Sequence, residues 1–271
     1  MTKLEHTMKE DILCKMVFVK HPTLLQRFVA RLLKIRFDDI KEFIITNPEM
    51  PPESLGDKFC RFDINMLVNG QRVDLEVQVN PNKNYVDRSL YYWARGFSSS
   101  LPESGDYSLL PQTIVISIVN FKIFSCEDFR SSFGALELTR HEELTDKFRM
   151  HFFELPKLPK TIDKDEENRL QLWLSLFRAE TEEDLAQIEA LEVEEMEQAI
   201  QAYRHTAVSA EFKEAARLYS KARHDEAQAL SDAKSEEREK WQSVIAVQES
   251  QLADKDAIIA ELQAKLKEKK I

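Results

Sequence analysis

Residues 60–79 read Cys60-Arg61-Phe62-Asp63-Ile64-Asn65-Met66-Leu67-Val68-Asn69-Gly70-Gln71-Arg72-Val73-Asp74-Leu75-Glu76-Val77-Gln78-Val79. Two alternating runs flank Asn69-Gly70. This is the strongest short-range signal for a β-hairpin, because a two-residue loop of type I′ needs positive φ at both positions. If those residues form the loop, the register follows by counting. Val68 faces Gln71, Met66 faces Val73, Ile64 faces Leu75 and Phe62 faces Val77 on an apolar side. Asn65 meets Asp74, Asp63 meets Glu76 and Arg61 meets Gln78 on the other. Directly opposed side chains lie about 5 Å apart at Cβ. Two facing carboxylates destabilise a strand pair unless positive charge lies between them.

The elements around this hairpin limit the fold. A helical pattern over residues 5–35 is interrupted at His21-Pro22-Thr23 and resumes through Leu24, Leu25, Phe28, Val29, Leu32 and Leu33. Phe43-Ile44-Ile45-Thr46 reads as a short strand that ends at Asn47-Pro48. After the hairpin, at about residues 59–68 and 71–79, Asn84 is an N-cap candidate for a helix to about Ser98. That helix places Arg88, Tyr92 and Arg95 on one face. Residues 112–119, with Thr-Ile-Val-Ile-Ser-Ile-Val at their core, read as a strand buried on both faces. Helix, strand, antiparallel hairpin, helix and buried strand together predict a mixed sheet with helices packed on it. Two further strands are expected near Phe133–Leu138 and Phe148–Leu155, joined through the charged segment Thr139–Asp146.

Beyond Pro159 no proline occurs, and the chain turns helical and highly charged. From Trp241 a heptad emerges. Ile245, Leu252, Ile259 and Leu266 hold one seam position, and Trp241, Gln248, Lys255 and Leu262 hold the other. The pattern predicts a coiled coil of about four heptads, and with it homo-oligomerisation. A single amphipathic helix packed on the globular part is the alternative. The expected organisation is a globular domain over residues 1–160, a helical extension over 161–232 and a coiled coil over 233–271.

Net charge is −10, which argues against a general basic coat for nucleic acid, though not against a local basic groove beside an acidic site. The three cysteines, Cys14, Cys60 and Cys126, are far apart and lack metal-ligand spacing. No signal-peptide pattern opens the chain and no apolar run approaches the length of a membrane span, so a reduced cytoplasmic setting is expected. There is no zinc-type histidine pairing and no phosphate-cradling Gly-x-x-x-x-Gly-Lys loop.

Asp63 and Glu76, with Gln78 two residues on, form a set of oxygen donors of the kind that hard divalent cations such as magnesium take up. A metal between the carboxylates would relieve their repulsion and support phosphoryl chemistry. On spacing alone, a solvated sheet face whose charge is offset by Arg61 and Arg72 reads equally well.

The stretch resembles the PD-(D/E)XK nuclease superfamily, whose signature is an aspartate on one strand and Glu-x-Lys on the next. More narrowly, it is similar to the PD-(D/E)XK family transposases, the Rpn-type recombination-promoting nucleases, in carrying Asp63, Asn69-Gly70 and Glu76-Val77-Gln78 in that order. Flanking blocks extend the likeness over roughly residues 5–230. Asp11-Ile12-Leu13-Cys14-Lys15-Met16-Val17-Phe18 looks like the family's opening element, with Cys14 in place of an aromatic residue. Arg88-(x)3-Tyr92, Gly105-Asp106-Tyr107 with the strand to Phe121, and Phe153-Glu154-Leu155-Pro156-Lys157 match later blocks.

The resemblance implies a restriction-endonuclease-like αβββαβ core and hydrolysis of DNA phosphodiesters dependent on Mg2+ or Mn2+. It implies catalytic roles for Asp63, Glu76 and Gln78. Asp63 and Glu76 would hold the metal, with Asp11 either joining them or serving as a helix cap or surface carboxylate. By charge near that site, Arg61, Arg72, Arg88 and Arg95 are candidates for DNA contact, and Arg88 could equally brace the acidic strand by pairing with Asp74 or Glu76. Gln78 replaces the superfamily's lysine, which removes a positive charge that could orient or deprotonate water. A non-catalytic nucleic-acid- or protein-binding module on the same fold is the alternative expectation.

Overall fold

The computed structural model describes residues 2–46, 64–101 and 105–268. Asp63, Arg61 and the first residues of the expected hairpin strand lie outside them. The chain divides into two units, residues 1–216 and 217–271. The first is built on one mixed six-stranded sheet, in the order β1 (Phe43–Ile45), β2 (Ile64–Val68), β3 (Gln71–Gln78), β4 (Thr113–Val119), β6 (Glu143–Glu154) and β5 (Arg130–Leu136).

The N-terminal helical pattern resolves into α1 (Asp11–Lys20) and α2 (Pro22–Leu33). Pro22 opens α2, where its missing N–H costs nothing. The helix starts only at Asp11 because the preceding residues bond elsewhere. Leu4 N–H donates to the Glu180 carbonyl at 2.9 Å, and the Glu10 carboxylate accepts from Thr7 N–H at 3.0 Å.

Strand β1 (Phe43–Ile45) pairs antiparallel with β2 (Ile64–Val68), and β2 pairs antiparallel with β3 (Gln71–Gln78). The turn takes the conformation its residues demand, with φ of 50° at Asn69 and 74° at Gly70. Within the described residues the register is the counted one: Val68 on Gln71, Met66 on Val73, Asn65 on Asp74 and Ile64 on Leu75. The Asn69 side chain ties the turn to the approach to β1. Its Oδ1 accepts from Lys41 N–H at 2.7 Å, and its Nδ2 donates to the Asp39 carbonyl at 2.9 Å.

Helix α3 (Tyr85–Ser98) crosses from β3 to β4 (Thr113–Val119), which lies parallel to β3. Asn84 stands at the N-cap but makes no side-chain capping bond. The Asn82 carboxamide turns the chain there instead, accepting from Asn84 N–H at 2.9 Å. All of β4 is buried, as a strand covered on both faces should be. The αβββαβ order is therefore complete at Val119.

The last two strands, β5 (Arg130–Leu136) and β6 (Glu143–Glu154), form an antiparallel hairpin, and β6 also runs parallel to β4. The segment expected as a connection is partly strand. Glu143–Asp146 extends β6 along β5, and the turn shrinks to residues 137–142 with His141 at φ 57°. Charge did not end the strand because Glu143 and Leu144 are exposed, so alternating polarity was never required of them.

On one face of the sheet Tyr85, Val115, Val119, Met150 and Phe152 form a core with Trp93 and Phe148 against it. Trp93 is a packing residue: its ring lies 4.6 Å from Phe148, edge to face, and its Nε1–H donates to the Thr113 carbonyl at 3.0 Å. On the other face Ile64, Met66, Val73, Leu75, Ile116 and Ile118 are buried. A helical core of Phe18, Phe28, Trp173 and Phe177 joins α1 and α2 to α4 (Arg169–Arg178). Helices α5 (Glu182–Glu189) and α6 (Glu194–Ala207) follow, the former opened by a Thr181–Asp184 capping box.

The second unit consists of the later part of α7 (Ala210–Glu268), a helix of 59 residues. Its heptad positions Trp241, Ile245, Leu252, Ile259 and Leu262 are all exposed in the single chain. Among the described residues no helix is long and apolar enough to cross a membrane.

Candidate active site

Strand parity puts Asp74, Glu76 and Gln78 on the α3 face of β3, with residues two apart spaced about 7 Å along the strand. Their neighbours on β4 are Val115, Ser117 and Val119, and on β6 the row continues to Met150, Phe152 and Glu154. Gln78, Val119 and Glu154 thus share one level at the carboxyl ends of three parallel strands. Open α/β sheets bind ligands at this edge.

Glu76 is 7% exposed and fully engaged. One oxygen accepts from the Tyr85 hydroxyl at 3.1 Å, and the other takes Nη2 of Arg88. The same Nη2 donates to Gln78 Oε1 at 2.6 Å, while Gln78 Nε2 donates to the Asn80 carbonyl at 3.0 Å. A donor on one side and an acceptor on the other fix which end of the amide faces the carboxylate. The Arg88 guanidinium lies 5.0 Å over the Tyr85 ring. Helix α3 supplies both partners because Tyr85 and Arg88 are three apart on its sheet-facing side.

Asp74 is the residue that sequence reasoning missed. Its Oδ1 is buried and has no hydrogen-bond partner. Burial, then the neighbouring Glu76 charge, pushes its carboxyl up to about 7, against the opposing pull of Arg72. Burial also raises Glu76, with Arg88 and Tyr85 pulling the other way. Tyr85 is held well above its ordinary value by burial and by Glu76, so it remains a donor. An unpartnered buried oxygen costs about 1–3 kcal/mol, which makes Asp74 an expensive residue to keep for packing alone. Its signal in the sequence was parity: it shares a face with Glu76 and stands opposite Asn65.

The remaining expected residues scatter. Arg72 lies across α3 at Gly96, where an added Cβ would come within 3.2 Å of its Nε. Arg95 is exposed near the end of α3, and Arg88 is committed to Glu76 and Gln78. Asp11 begins α1, where its charge helps raise the buried Cys14 thiol, behind the larger effect of burial. Asp63 and Arg61 fall outside the described residues.

The Glu154–Lys157 block has a structural role. Both side chains are buried, and Lys157 Nζ lies 2.6 Å from Glu154 Oε2. Glu154 Oε1 accepts from Ile123 N–H at 2.6 Å, and Lys157 donates to the Phe124 carbonyl at 2.9 Å. The pair clamps the loop after β4. That loop begins with Asn120, whose N–H donates to the Gln78 carbonyl at 2.9 Å.

A model of the PD-(D/E)XK nuclease family transposases matches residues 8–233. The chain belongs to this family. Neither the curated proteins nor the solved structures gave a match. Membership places the chain in a nuclease-like family and implies a nucleic-acid substrate. PD-(D/E)XK nucleases typically use divalent metals. The donors on β3 suit such an ion, being oxygen only: the orphaned Asp74 Oδ1, the Glu76 carboxylate and the Gln78 amide oxygen. Among the described residues no group of three or more His, Cys, Asp or Glu side chains is arranged to hold a metal, so the site there is two carboxylates and an amide.

Proposed function

We propose that this family member is a metal-dependent endonuclease that hydrolyses DNA phosphodiester bonds. The observation that carries the reading is that Asp74, Glu76 and Gln78 line one face of β3 toward its carboxyl end, with Glu76 and Gln78 joined through Arg88 Nη2 and Asp74 Oδ1 left buried without a partner. Glu76 and Asp74 would hold magnesium or manganese, with Asp63 added from the facing strand on the register counted in the sequence. The bound ion would supply Lewis acidity at the scissile phosphate and a lowered pKa for the attacking water. Gln78 contributes an amide oxygen and no charge, so it orients and does not deprotonate. Tyr85 fixes the rotamer of Glu76. The exposed Arg95 and Lys83 suit contacts to the phosphate backbone.

The test is cleavage of plasmid DNA by the full chain in Mg2+, in Mn2+ and in excess chelator. Nicking or linearisation with metal, lost with chelator, is the expected result. A protein that binds DNA yet leaves it intact with either metal supports the second reading, a binding module.

We also propose that residues 241–266 pair with a second copy of the chain. The exposed Trp241, Ile245, Leu252, Ile259 and Leu262 support this, since they repeat at heptad spacing. Replacing Leu252 and Ile259 together by aspartate should reduce the mass in solution to that of one chain, measured by light scattering. An unchanged multiple of the chain mass would remove the heptad from the argument.

A further inference from the structure

Arg88 occupies a particular point. One guanidinium nitrogen, Nη2, is shared by Glu76, which the proposed function assigns to the metal, and by Gln78 Oε1, the neighbouring oxygen donor on β3. Its cationic carbon lies over the Tyr85 ring, whose hydroxyl binds the other Glu76 oxygen. A positive group is therefore already seated where Glu76 and Gln78 converge, and it is carried on a side chain long enough to withdraw. Arg88 is half-buried, with 29% of its side chain exposed, so a path toward solvent exists.

We infer that Arg88 is an internal stand-in for the metal, holding Glu76 and Gln78 together until a divalent cation displaces its guanidinium, which then turns to the DNA phosphate. The inference rests on the metal reading given above. Its physical basis is that a guanidinium and a divalent cation drawn to the same pair of oxygens repel each other at close range, so the two compete for the position. Apparent metal affinity is reduced by the fraction of molecules in which Arg88 is engaged. A guanidinium freed beside a bound phosphodiester has the planar donor fork that matches phosphate oxygens. The arrangement would keep the buried carboxylates compensated in the absence of metal and couple metal entry to the readiness of a phosphate ligand.

The experiment is calorimetric titration of the full chain with Mn2+, without DNA, for the wild type, Arg88→Met, Arg88→Lys and Glu76→Gln, each first shown to be folded by circular dichroism. Arg88→Met should bind Mn2+ about tenfold tighter than the wild type, as expected if the engaged state dominates by about ten to one. Arg88→Lys should fall between the two, and Glu76→Gln should bind far more weakly. If Glu76→Gln weakens binding but Arg88→Met leaves it unchanged or weaker, the inference is overturned and the metal reading stands. If Glu76→Gln binds like the wild type, or if the wild type binds no Mn2+, both fall.

Should Arg88→Met fail to fold, the wild type still decides. The Arg88 Nε–Hε signal, assigned from the Arg88→Lys spectrum, should move as Mg2+ is added to saturation. A signal that stays in place at saturation overturns the inference.

Discussion

Glu76→Gln should abolish metal-dependent DNA cleavage, with a rate loss of about three orders of magnitude or more, while leaving the fold intact. The scale is that of removing a principal group that stabilises transition-state charge. The change is nearly isosteric; it removes a charge that burial disfavours but also the anionic partner of the part-exposed Arg88, so stability without metal should stay close to that of the wild type. Activity and stability then move apart, which unfolding could not produce. Cleavage within tenfold of the wild type, measured at saturating Mg2+, would remove Glu76 from the site.

The same carboxyls set a pH dependence. Asp74 is raised from 3.8 to about 7, with Glu76 raised beside it, and a divalent ion needs both ionised. Metal affinity should therefore climb as pH rises through about 7. Without metal the sign reverses. A carboxyl whose folded value is raised gives stability that is fully present below 3.8 and is lost as pH rises to about 7. Urea midpoints of the metal-free protein should fall more steeply across that window for the wild type than for Asp74→Asn.

Lys157→Met should lower stability by about 3–5 kcal/mol, read from urea unfolding. The side chains of Glu154 and Lys157 are 0% and 2% exposed, so removing the ammonium strands a buried carboxylate. The damage should spread to the proposed site, because the clamped loop begins at Asn120, the backbone partner of Gln78. Adding Glu154→Gln to Lys157→Met should recover part of the loss, since the uncompensated charge is then gone. A single variant that unfolds at the wild-type midpoint would show that the pair contributes nothing.

The hairpin was legible because two local rules suffice for it. Asn69-Gly70 accepts positive φ at both positions, and parity then assigns every side chain to a face. The strand β4 was legible because a continuous β-branched run has few other uses. That Arg88 could pair with Asp74 or Glu76 was legible from the helix face it shares with Tyr92, but which carboxylate it takes, and the part of Tyr85, were not. Tyr85 and Arg88 reach Glu76 only because α3 crosses back over β3 at a particular height, and helix placement is a tertiary quantity. Asp74 could be seen on the right face, but its isolation depends on how closely α3 and β4 cover it. The Glu154–Lys157 block was visible as a landmark of the family. Its work as a clamp on the loop after β4 appears only when β6 is laid beside β4.

The polar network of Glu76, Gln78, Tyr85 and Arg88, with Asp74 beside it, is drawn from residues 74–88, a short span of chain. Its burial depends on β4, which joins β3 in parallel some forty residues later in sequence. Local contacts form quickly, while long-range parallel pairing must first overcome loop-closure entropy. The order of assembly follows. Glu76 and Arg88 are expected to meet early, in a hydrated hairpin–helix segment, with docking of β4 afterwards stripping the water. Near neutral pH that docking step has to desolvate two adjacent carboxyls, so the barrier to folding carries a charge cost that acid removes. The rate of folding, and not only the final stability, should then rise as pH falls below about 7, a change that stopped-flow refolding of the metal-free protein would measure.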